Sequence, residues 1–282
     1  MSPPGSRPGG RIEARFAALR AENRAALIPF VEAFDPDGPT SAALLAGMPA
    51  AGADLIEIGM PFTDPMADGP TIQAAGKRAL LAGAKVAKIL AMVRDFRRAD
   101  AATPIILMGY LNPILSYGPE RFCADAATAG VDGMIVVDLP PEEAAILAPF
   151  AAAQGIDIIR LIAPTTDDAR LPLVLEGSSG FIYYVSIAGI TGTRTASAAH
   201  LAEAIPHIRR VSTLPIAVGF GVRTPEQAAV VARAADAAVV ASALIETVAA
   251  GLDAEGRAGP AVVARVLDQV RALAAAVRGA RR

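Results

Sequence analysis

The regular alternation of short apolar runs with longer helix-like stretches constrains the fold of this chain more than any other feature. Eight runs rich in Ile, Leu and Val lie at Leu27–Ala33, Asp54–Ile58, Pro104–Met108, Gly133–Val137, Ile156–Ile162, Phe181–Val185, Pro215–Val218 and Ala237–Val240. Such runs are typical of strands that are buried on both faces of a parallel sheet. Stretches rich in Ala, Leu and Arg predict helices at Ala74–Ala99, Gly118–Ala129, Pro141–Gln154, Ser197–Arg210, Pro225–Ala234 and Ala261–Arg278.

Eight strands that alternate with helices over about 250 residues predict an α/β fold, a single (β/α)8 TIM barrel with extra helices. A doubly wound open sheet is the alternative arrangement of the same elements. No charge run or long linker marks a second domain, so we expect residues 12–282 to form one barrel domain. The Ser, Pro, Gly and Arg content of residues 1–11 predicts a disordered tail.

The composition excludes several classes of protein. Hydrophobic residues make up 53% of the chain, which argues against a mainly disordered protein. A net charge of −2 supplies no large electrostatic term for binding nucleic acid or anionic lipid. The single cysteine, Cys123, excludes an internal disulfide and a multi-thiolate metal site. No apolar stretch reaches the about 18 residues of a membrane span, and no signal peptide is recognisable, so a cytoplasmic location is expected.

Residues 54–73 carry the densest chemical signal, and they read DLIEIGMPFTDPMADGPTIQ. Glu57 lies between Ile56 and Ile58, so it points into the barrel if both isoleucines pack against the helices. Loss of solvation there would raise the pKa of the carboxyl and make it a proton donor near neutral pH. The structural alternative is that Glu57 caps a helix or pairs with an arginine.

The loop after this strand supplies two more acids, Asp64 and Asp68, among prolines and glycines. Such a loop is suited to cover a substrate in the manner of a lid. For Asp64 alone an ordinary turn is the better explanation, because Asp-Pro commonly starts one.

Three turns rich in small residues follow the last three runs, at Gly189–Gly192, Gly219–Gly221 and Ala241–Ser242. Small residues let backbone N–H groups approach an anion, and barrels frequently bind phosphate on the loops after strands 7 and 8. These turns therefore predict a phosphate site, with simple tight turns as the alternative.

Residues that a Schiff-base, zinc or dinucleotide mechanism needs are missing from the predicted strands and the loops that follow them. The chain has only three lysines, Lys77, Lys85 and Lys88, all in the helical stretch after the lid, which argues against a Schiff-base aldolase. Its two histidines, His200 and His207, share one predicted helix and do not form a zinc cluster. No Gly-x-Gly-x-x-Gly follows the first strand, so a dinucleotide site is not expected. Acid–base chemistry by carboxylates remains.

The stretch from Glu57 to Gln73 resembles the signature of the tryptophan synthase α subunit family, and the resemblance extends over residues 16–277. Further matching segments are Ile28–Val31 with Asp35–Pro36, Tyr110–Pro113, Val137–Pro140, Tyr183–Gly192, and Gly219–Gly221 followed by Pro225–Gln227. Members of this family are barrel lyases that cleave indole-3-glycerol phosphate by a retro-aldol reaction into indole and glyceraldehyde 3-phosphate.

The resemblance implies a role for each matching residue. Glu57 would be the proton donor and shuttle, Asp68 would accept the hydrogen bond of the indole N–H, and Tyr183 would be a secondary polar group. The residues implied in holding the substrate are Phe30, Tyr110 and Ile162 for the indole, and Thr191, Gly192, Gly221, Ala241 and Ser242 for the phosphate.

The resemblance also implies a partner, the tryptophan synthase β subunit, in an αββα tetramer with indole channelled between sites. Pyridoxal phosphate (PLP) would belong to that partner, and no cofactor is expected in this chain. The candidate contact surface is Thr63–Asp68 together with Tyr110–Pro113 and Asp138–Pro141.

Three positions depart from the family pattern. Glu32 stands where a small polar residue is usual, and Phe34 and Ala241 each replace a glycine. Phe34 would reshape or fill the barrel mouth, and the methyl of Ala241 would crowd a phosphate if the backbone needed a positive φ there. The hypotheses are therefore an α subunit active within a complex, a free-standing lyase, and a catalytically weakened activating subunit.

Overall fold

The nine strands of the computed structural model, which describes residues 9–185, 198–219 and 221–281, form one parallel sheet. They are β1 Ala26–Glu32, β2 Ile56–Gly59, β3 Ile105–Gly109, β4 Gly133–Val136, β5 Asp157–Ile158, β6 Arg160–Ile162, β7 Ile182–Val185, β8 Ile216–Gly219 and β9 Ala237–Val240. Their order is β5-β4-β3-β2-β1-β9-β8-β7-β6. Because only Ile159 separates β5 from β6 along the chain, the two edges of the sheet meet and the barrel is nearly closed. The predicted barrel is confirmed, and the open doubly wound sheet is wrong.

Helices surround this barrel. They are α1 Arg11–Ala21, α2 Gly38–Ala51, α3 Pro70–Leu81, α4 Val86–Arg97, α5 Leu111–Tyr117, α6 Pro119–Ala129, α7 Ala148–Gln154, α8 Arg170–Leu175, α9 Ala198–Arg209, α10 Pro225–Ala234, α11 Ser242–Ala249 and α12 Val262–Gly279, with a short 3-10 helix at Pro141–Ile146. The predicted helix Ala74–Ala99 is two helices, because Gly83 with a φ of +84° breaks it. Glycine adopts this conformation at little cost, which other residues do not.

Helix α1, which the apolar runs do not predict, closes the amino-terminal end of the barrel. Its Ile12, Phe16 and Leu19 are buried in the barrel interior, where the Phe16 ring lies 5.8 Å from that of Phe181. Arg15 of the same helix pairs with buried Asp54, just before β2. Sealing this end leaves the carboxyl ends of the strands as the open face, which is where barrel enzymes carry their sites.

The buried apolar side chains form an inner layer inside the barrel, a larger outer layer between strands and helices, and a small third cluster of Phe30, Ala75 and Ile245. Within the described ranges, no helix is both long and apolar enough to span a membrane. The first eight residues of the predicted tail, and the loop that contains Thr191 and Gly192, lie outside the described residues.

Candidate active site

A cavity of about 690 Å³ opens at the carboxyl ends of the strands and gathers most of the predicted site residues. Eight of them line it: Phe30, Glu57, Asp68, Tyr110, Tyr183, Gly221, Ala241 and Ser242. Its volume lies within the range of about 300–1,000 Å³ that small-molecule sites occupy. One cavity is therefore lined by residues from β1, β2, the lid, β3, β7 and the start of α11.

Glu57 points into this cavity from the middle of β2. Its neighbours Ile56 and Ile58 belong to the outer layer, so alternation turns the carboxyl inward, beside its register partner Phe30 on β1. The residue is 0% exposed, and neither carboxyl oxygen has a hydrogen-bond partner among the described residues. Burial raises the pKa of Glu57 to about 8. At neutral pH the group is therefore mostly a neutral acid with a proton to give.

Tyr183 lies on the inner face of β7 and lines the same cavity as Glu57. Its hydroxyl occupies the space that a side chain at Gly219 would fill, because a Cβ at that glycine would overlap the oxygen. Burial, followed by the nearby Glu57, raises the pKa of Tyr183 well above its usual value. Tyr183 therefore stays a neutral phenol that can donate or accept a hydrogen bond next to the acid.

Residues 63–68 after β2, here called the lid, place Asp68 at the cavity, and a hydrogen bond to Tyr110 holds this loop in position. The N–H of Ala67 donates to the Tyr110 hydroxyl oxygen at 3.0 Å, and the Phe62 and Tyr110 rings lie 5.4 Å apart. Burial raises the pKa of Asp68, and a hydrogen bond with Tyr110 opposes that rise. Asp64 is exposed and accepts a bond of 2.7 Å from the Thr63 hydroxyl, as a turn residue would.

The part of the cavity that Gly221 and Ser242 line has the features of an anion site. Gly221 has a φ of +78°, and Ser242 begins α11. Helix amino termini favour anions because their N–H groups and dipole point outward. Ala241 has a φ of −119°, so its methyl group needs no strained backbone, and the expected crowding is not supported. Arg223, which the sequence did not single out, also lines the cavity and forms an ion pair with Glu246.

The prediction that Ile162 holds the indole is wrong, because its side chain lies on the outer face of β6. Ile162 belongs to the outer layer and packs toward the helices, whereas its neighbour Leu161 packs against the interior beside its register partner Tyr183. Alternation along β6 forces the two side chains to opposite faces. The apolar wall that sequence reasoning missed includes Met60 and Met108, which line the cavity.

Phe34 does not fill the site. It has a φ of +70°, which explains why a glycine is usual there, and it is absent from the described residues that line the cavity. Its ring packs against the outer layer, with the Lys88 Nζ 5.9 Å from the ring centroid. Glu32, in contrast, does line the cavity and is 4% exposed.

The remaining polar candidates lie away from the cavity. Lys77, Lys85 and Lys88 are all exposed. His200 is half-buried, with its Nε2 2.7 Å from the Tyr184 hydroxyl, and His207 pairs with Asp168 at 3.0 Å. No group of three or more potential metal ligands occurs in the part of the chain that the structure describes. A surface hollow of about 680 Å³ between α9 and α10 is lined by apolar side chains and arginines.

Comparisons with known proteins agree with this geometry. Residues 16–278 match the family described as "Tryptophan synthase alpha chain". The tryptophan synthase alpha chain of Acidiphilium cryptum (strain JF-5) is 72% identical over 272 residues, which cover 96% of this chain and 99% of that protein. The alpha chain of Granulibacter bethesdensis is 69% identical over 271 residues, which cover 96% and 97%.

Solved structures give the same result. The crystal structure of tryptophan synthase subunit alpha from Legionella pneumophila str. Paris matches with a TM-score of 0.87 at 37% identity and covers 95% of this chain and 98% of that chain. A structure of Mycobacterium tuberculosis tryptophan synthase matches with a TM-score of 0.84 at 36% identity and covers 97% and 99%.

Proposed function

Because the chain belongs to the tryptophan synthase alpha chain family, we propose that Glu57 and Asp68 perform the proton transfer and charge stabilisation of the family's lyase reaction. The chain is a carbon–carbon lyase of tryptophan biosynthesis, and it cleaves indole-3-glycerol phosphate into indole and glyceraldehyde 3-phosphate. The observation that carries the residue assignment is a fully buried acid, without a hydrogen-bond partner among the described residues, in one cavity with a half-buried lid carboxylate.

The proton balance of the retro-aldol step suits a single acid at Glu57. Glu57 gives its proton to indole C3, which places positive charge on the ring nitrogen. The bond from C3 to the side chain then breaks, its electron pair returns to the indole, and the side-chain hydroxyl becomes an aldehyde. The hydroxyl proton passes to the Glu57 carboxylate, so the enzyme ends in its starting protonation state.

Asp68 and Tyr183 act on the charges that develop in this step. Asp68 accepts the hydrogen bond of the indole N–H and offsets the positive charge on the ring. Its hydrogen bond with Tyr110 favours the ionised carboxylate that this role needs. Tyr183, which lines the same cavity as Glu57, contributes a neutral hydroxyl to the reacting centre.

The indole and the phosphate of the substrate are assigned to different lining residues of the cavity. Phe30, Met108 and Tyr110 supply apolar surface for the indole. Gly221, Ala241 and Ser242 hold the phosphate at the start of α11, and Ser242 donates through its hydroxyl and its N–H. Thr191 and Gly192 stay predicted phosphate ligands, since they lie outside the described residues.

The partner in this proposal is a tryptophan synthase β subunit in an αββα tetramer. The contact surface contains the lid, where Met66 is 82% exposed, and the loops at Tyr110–Pro113 and Asp138–Pro141. The N–H of Leu111 donates to Asp138 at 2.7 Å and ties these two loops together. PLP belongs to the partner, because no lysine of this chain lies in its cavity. A cytoplasmic location stays a prediction.

Indole release from indole-3-glycerol phosphate, measured with and without added β subunit, tests this proposal. For an α subunit we expect weak indole release by the chain alone and a strong rise when the β subunit is added. Equal rates with and without the partner would instead indicate a free-standing lyase. An absence of indole in both cases, with partner activity still raised, would indicate an activating subunit.

A further inference from the structure

Arg160, the first residue of β6, is a buried cation that the proposed chemistry does not use. It is 5% exposed and lies two residues before Ile162, so its side chain is on the outer face of the strand. It is not among the described residues that line the cavity. The guanidinium therefore acts on something other than the substrate.

The Arg160 guanidinium bonds to the loop that follows β4. Its Nη1 donates a hydrogen bond of 3.0 Å to the carbonyl oxygen of Leu139, in a buried position. The neighbouring residue, Asp138, accepts a bond of 2.7 Å from the N–H of Leu111 at the start of α5. Two successive residues of this loop are therefore held from two sides, by β6 and by α5.

The charge of Arg160 is poorly compensated. Burial lowers the pKa of Arg160, and the negative charge of Glu142 opposes that effect only in part. Both carboxyl oxygens of Glu142 accept hydrogen bonds from Arg170, and the Arg160 Nε has no hydrogen-bond partner among the described residues. Burying a charge and a donor in this way is unfavourable, so an apolar side chain of similar length would make the barrel at least as stable.

A residue that lowers stability at its own position points to a functional requirement. What Arg160 supplies, and an apolar residue does not, is the bond to the Leu139 carbonyl oxygen. We propose that Arg160 is a positioning residue that holds the loop Asp138–Pro141 in the conformation to which the β subunit binds. This inference rests on the proposed function, which assigns that loop to the contact surface.

The two sides of the loop fit this role. Leu139 is buried, whereas Pro140 is exposed, so the bond from Arg160 anchors the inner side of a segment whose outer side is open to a partner. A loop that already has its bound conformation loses less conformational freedom on association. Arg160 should therefore affect the affinity for the β subunit and leave the chemistry in the cavity unchanged.

A titration of the chain with its β subunit, followed by calorimetry and by indole release, tests the inference. Arg160→Met keeps most of the length of the side chain and removes its donors. We expect the Kd for the β subunit to rise about 10-fold or more, as loss of a hydrogen bond from a charged group predicts. The kcat at saturating β subunit, and the rate of the chain alone, should stay within about twofold of wild type.

Thermal unfolding separates this role from a purely structural one. The unfolding midpoint of Arg160→Met should equal or exceed that of wild type, because a poorly compensated buried charge is removed. Arg160→Lys keeps a charged donor for the single bond to Leu139, and its Kd should stay within about threefold of wild type. Arg265→Met is the matched control, at an exposed arginine of α12, which packs against α2 and α10, and it should leave the Kd unchanged.

Four results would overturn the inference: a wild-type Kd in Arg160→Met, a lower unfolding midpoint or loss of folding in that variant, a fall in its kcat at saturating β subunit, or an equal loss of affinity in Arg160→Lys. Failure of the proposed function gives a different result, because the wild-type chain would then not bind the β subunit. A wild-type chain that binds no more tightly than Arg160→Met contradicts only the positioning role.

Discussion

The N–H of Ala67 donates a hydrogen bond of 3.0 Å to the hydroxyl oxygen of Tyr110, and this bond joins the lid to the end of β3. The same hydroxyl bonds to the Asp68 carboxylate and opposes the effect of burial on its pKa. One tyrosine therefore both positions the lid and favours the ionised form of its acid.

Tyr110→Phe should move the acidic limb of the pH profile. The substitution removes a bond that lowers the pKa of Asp68, so that pKa rises and the ionised form is lost at a higher pH. We expect kcat/KM to fall about 10-fold at neutral pH and its acidic limb to shift upward. An unchanged acidic limb would show that Tyr110 does not lower the pKa of Asp68.

Glu57 should make the protein less stable as pH rises. Its folded pKa of about 8 lies above the unfolded value of 4.5, so the folded state holds a proton that the unfolded state has lost between these limits. The stabilisation is complete below pH 4.5 and is lost as pH rises to about 8, by about 3–5 kcal/mol of unfolding free energy. Denaturant unfolding of wild type and Glu57→Gln across this range checks it, and the variant should lack this loss. Parallel curves for the two proteins would contradict the buried acid.

Phe34 carries backbone strain that glycine would relieve. Both Phe34→Gly and Phe34→Ala lose the ring, but only glycine adopts a φ of +70° freely. We expect Phe34→Gly to be about 1 kcal/mol more stable than Phe34→Ala in thermal unfolding. Both should keep kcat within about twofold, because the ring does not line the cavity. Equal stability of the two variants would show that the site is unstrained.

Ser242→Ala should weaken substrate binding more than turnover. The hydroxyl lies at the start of α11, where Ser242 lines the cavity, so its loss removes the proposed phosphate contact in both ground and transition states. We expect KM to rise about 10-fold with kcat within about threefold, as uniform binding predicts. A fall in kcat at constant KM would place Ser242 in the chemical step instead.

The barrel and the direction of Glu57 were predictable because local patterns determine them. Each strand is an apolar run, and in β2 a single acid breaks the run and reveals which face is inward. In contrast, the run Ile156–Ile162 carries one charged residue on each face, Arg160 and Asp157, so its pattern does not show which side chains face the cavity. Ile162 was assigned to the wrong face for this reason, and Leu161 faces inward instead.

Features that depend on contacts distant in sequence were not predictable. Helix α1 is recognised as the barrel's amino-terminal closure only when Phe16 is seen against Phe181. The inward Glu32 has space because Gly59, on another strand, lacks a side chain. The pattern of residues within a segment does not show which distant residue its side chains will contact.

Indole release by Glu57→Gln, with substrate binding measured in parallel, tests the central claim most directly. Glutamine keeps the shape of the side chain and removes the proton, so we expect kcat to fall at least about 100-fold while substrate affinity stays within about threefold. Glu176→Gln, at an exposed position, serves as the control and should match wild type. A near-normal kcat in Glu57→Gln would contradict the assignment of Glu57 as the catalytic acid.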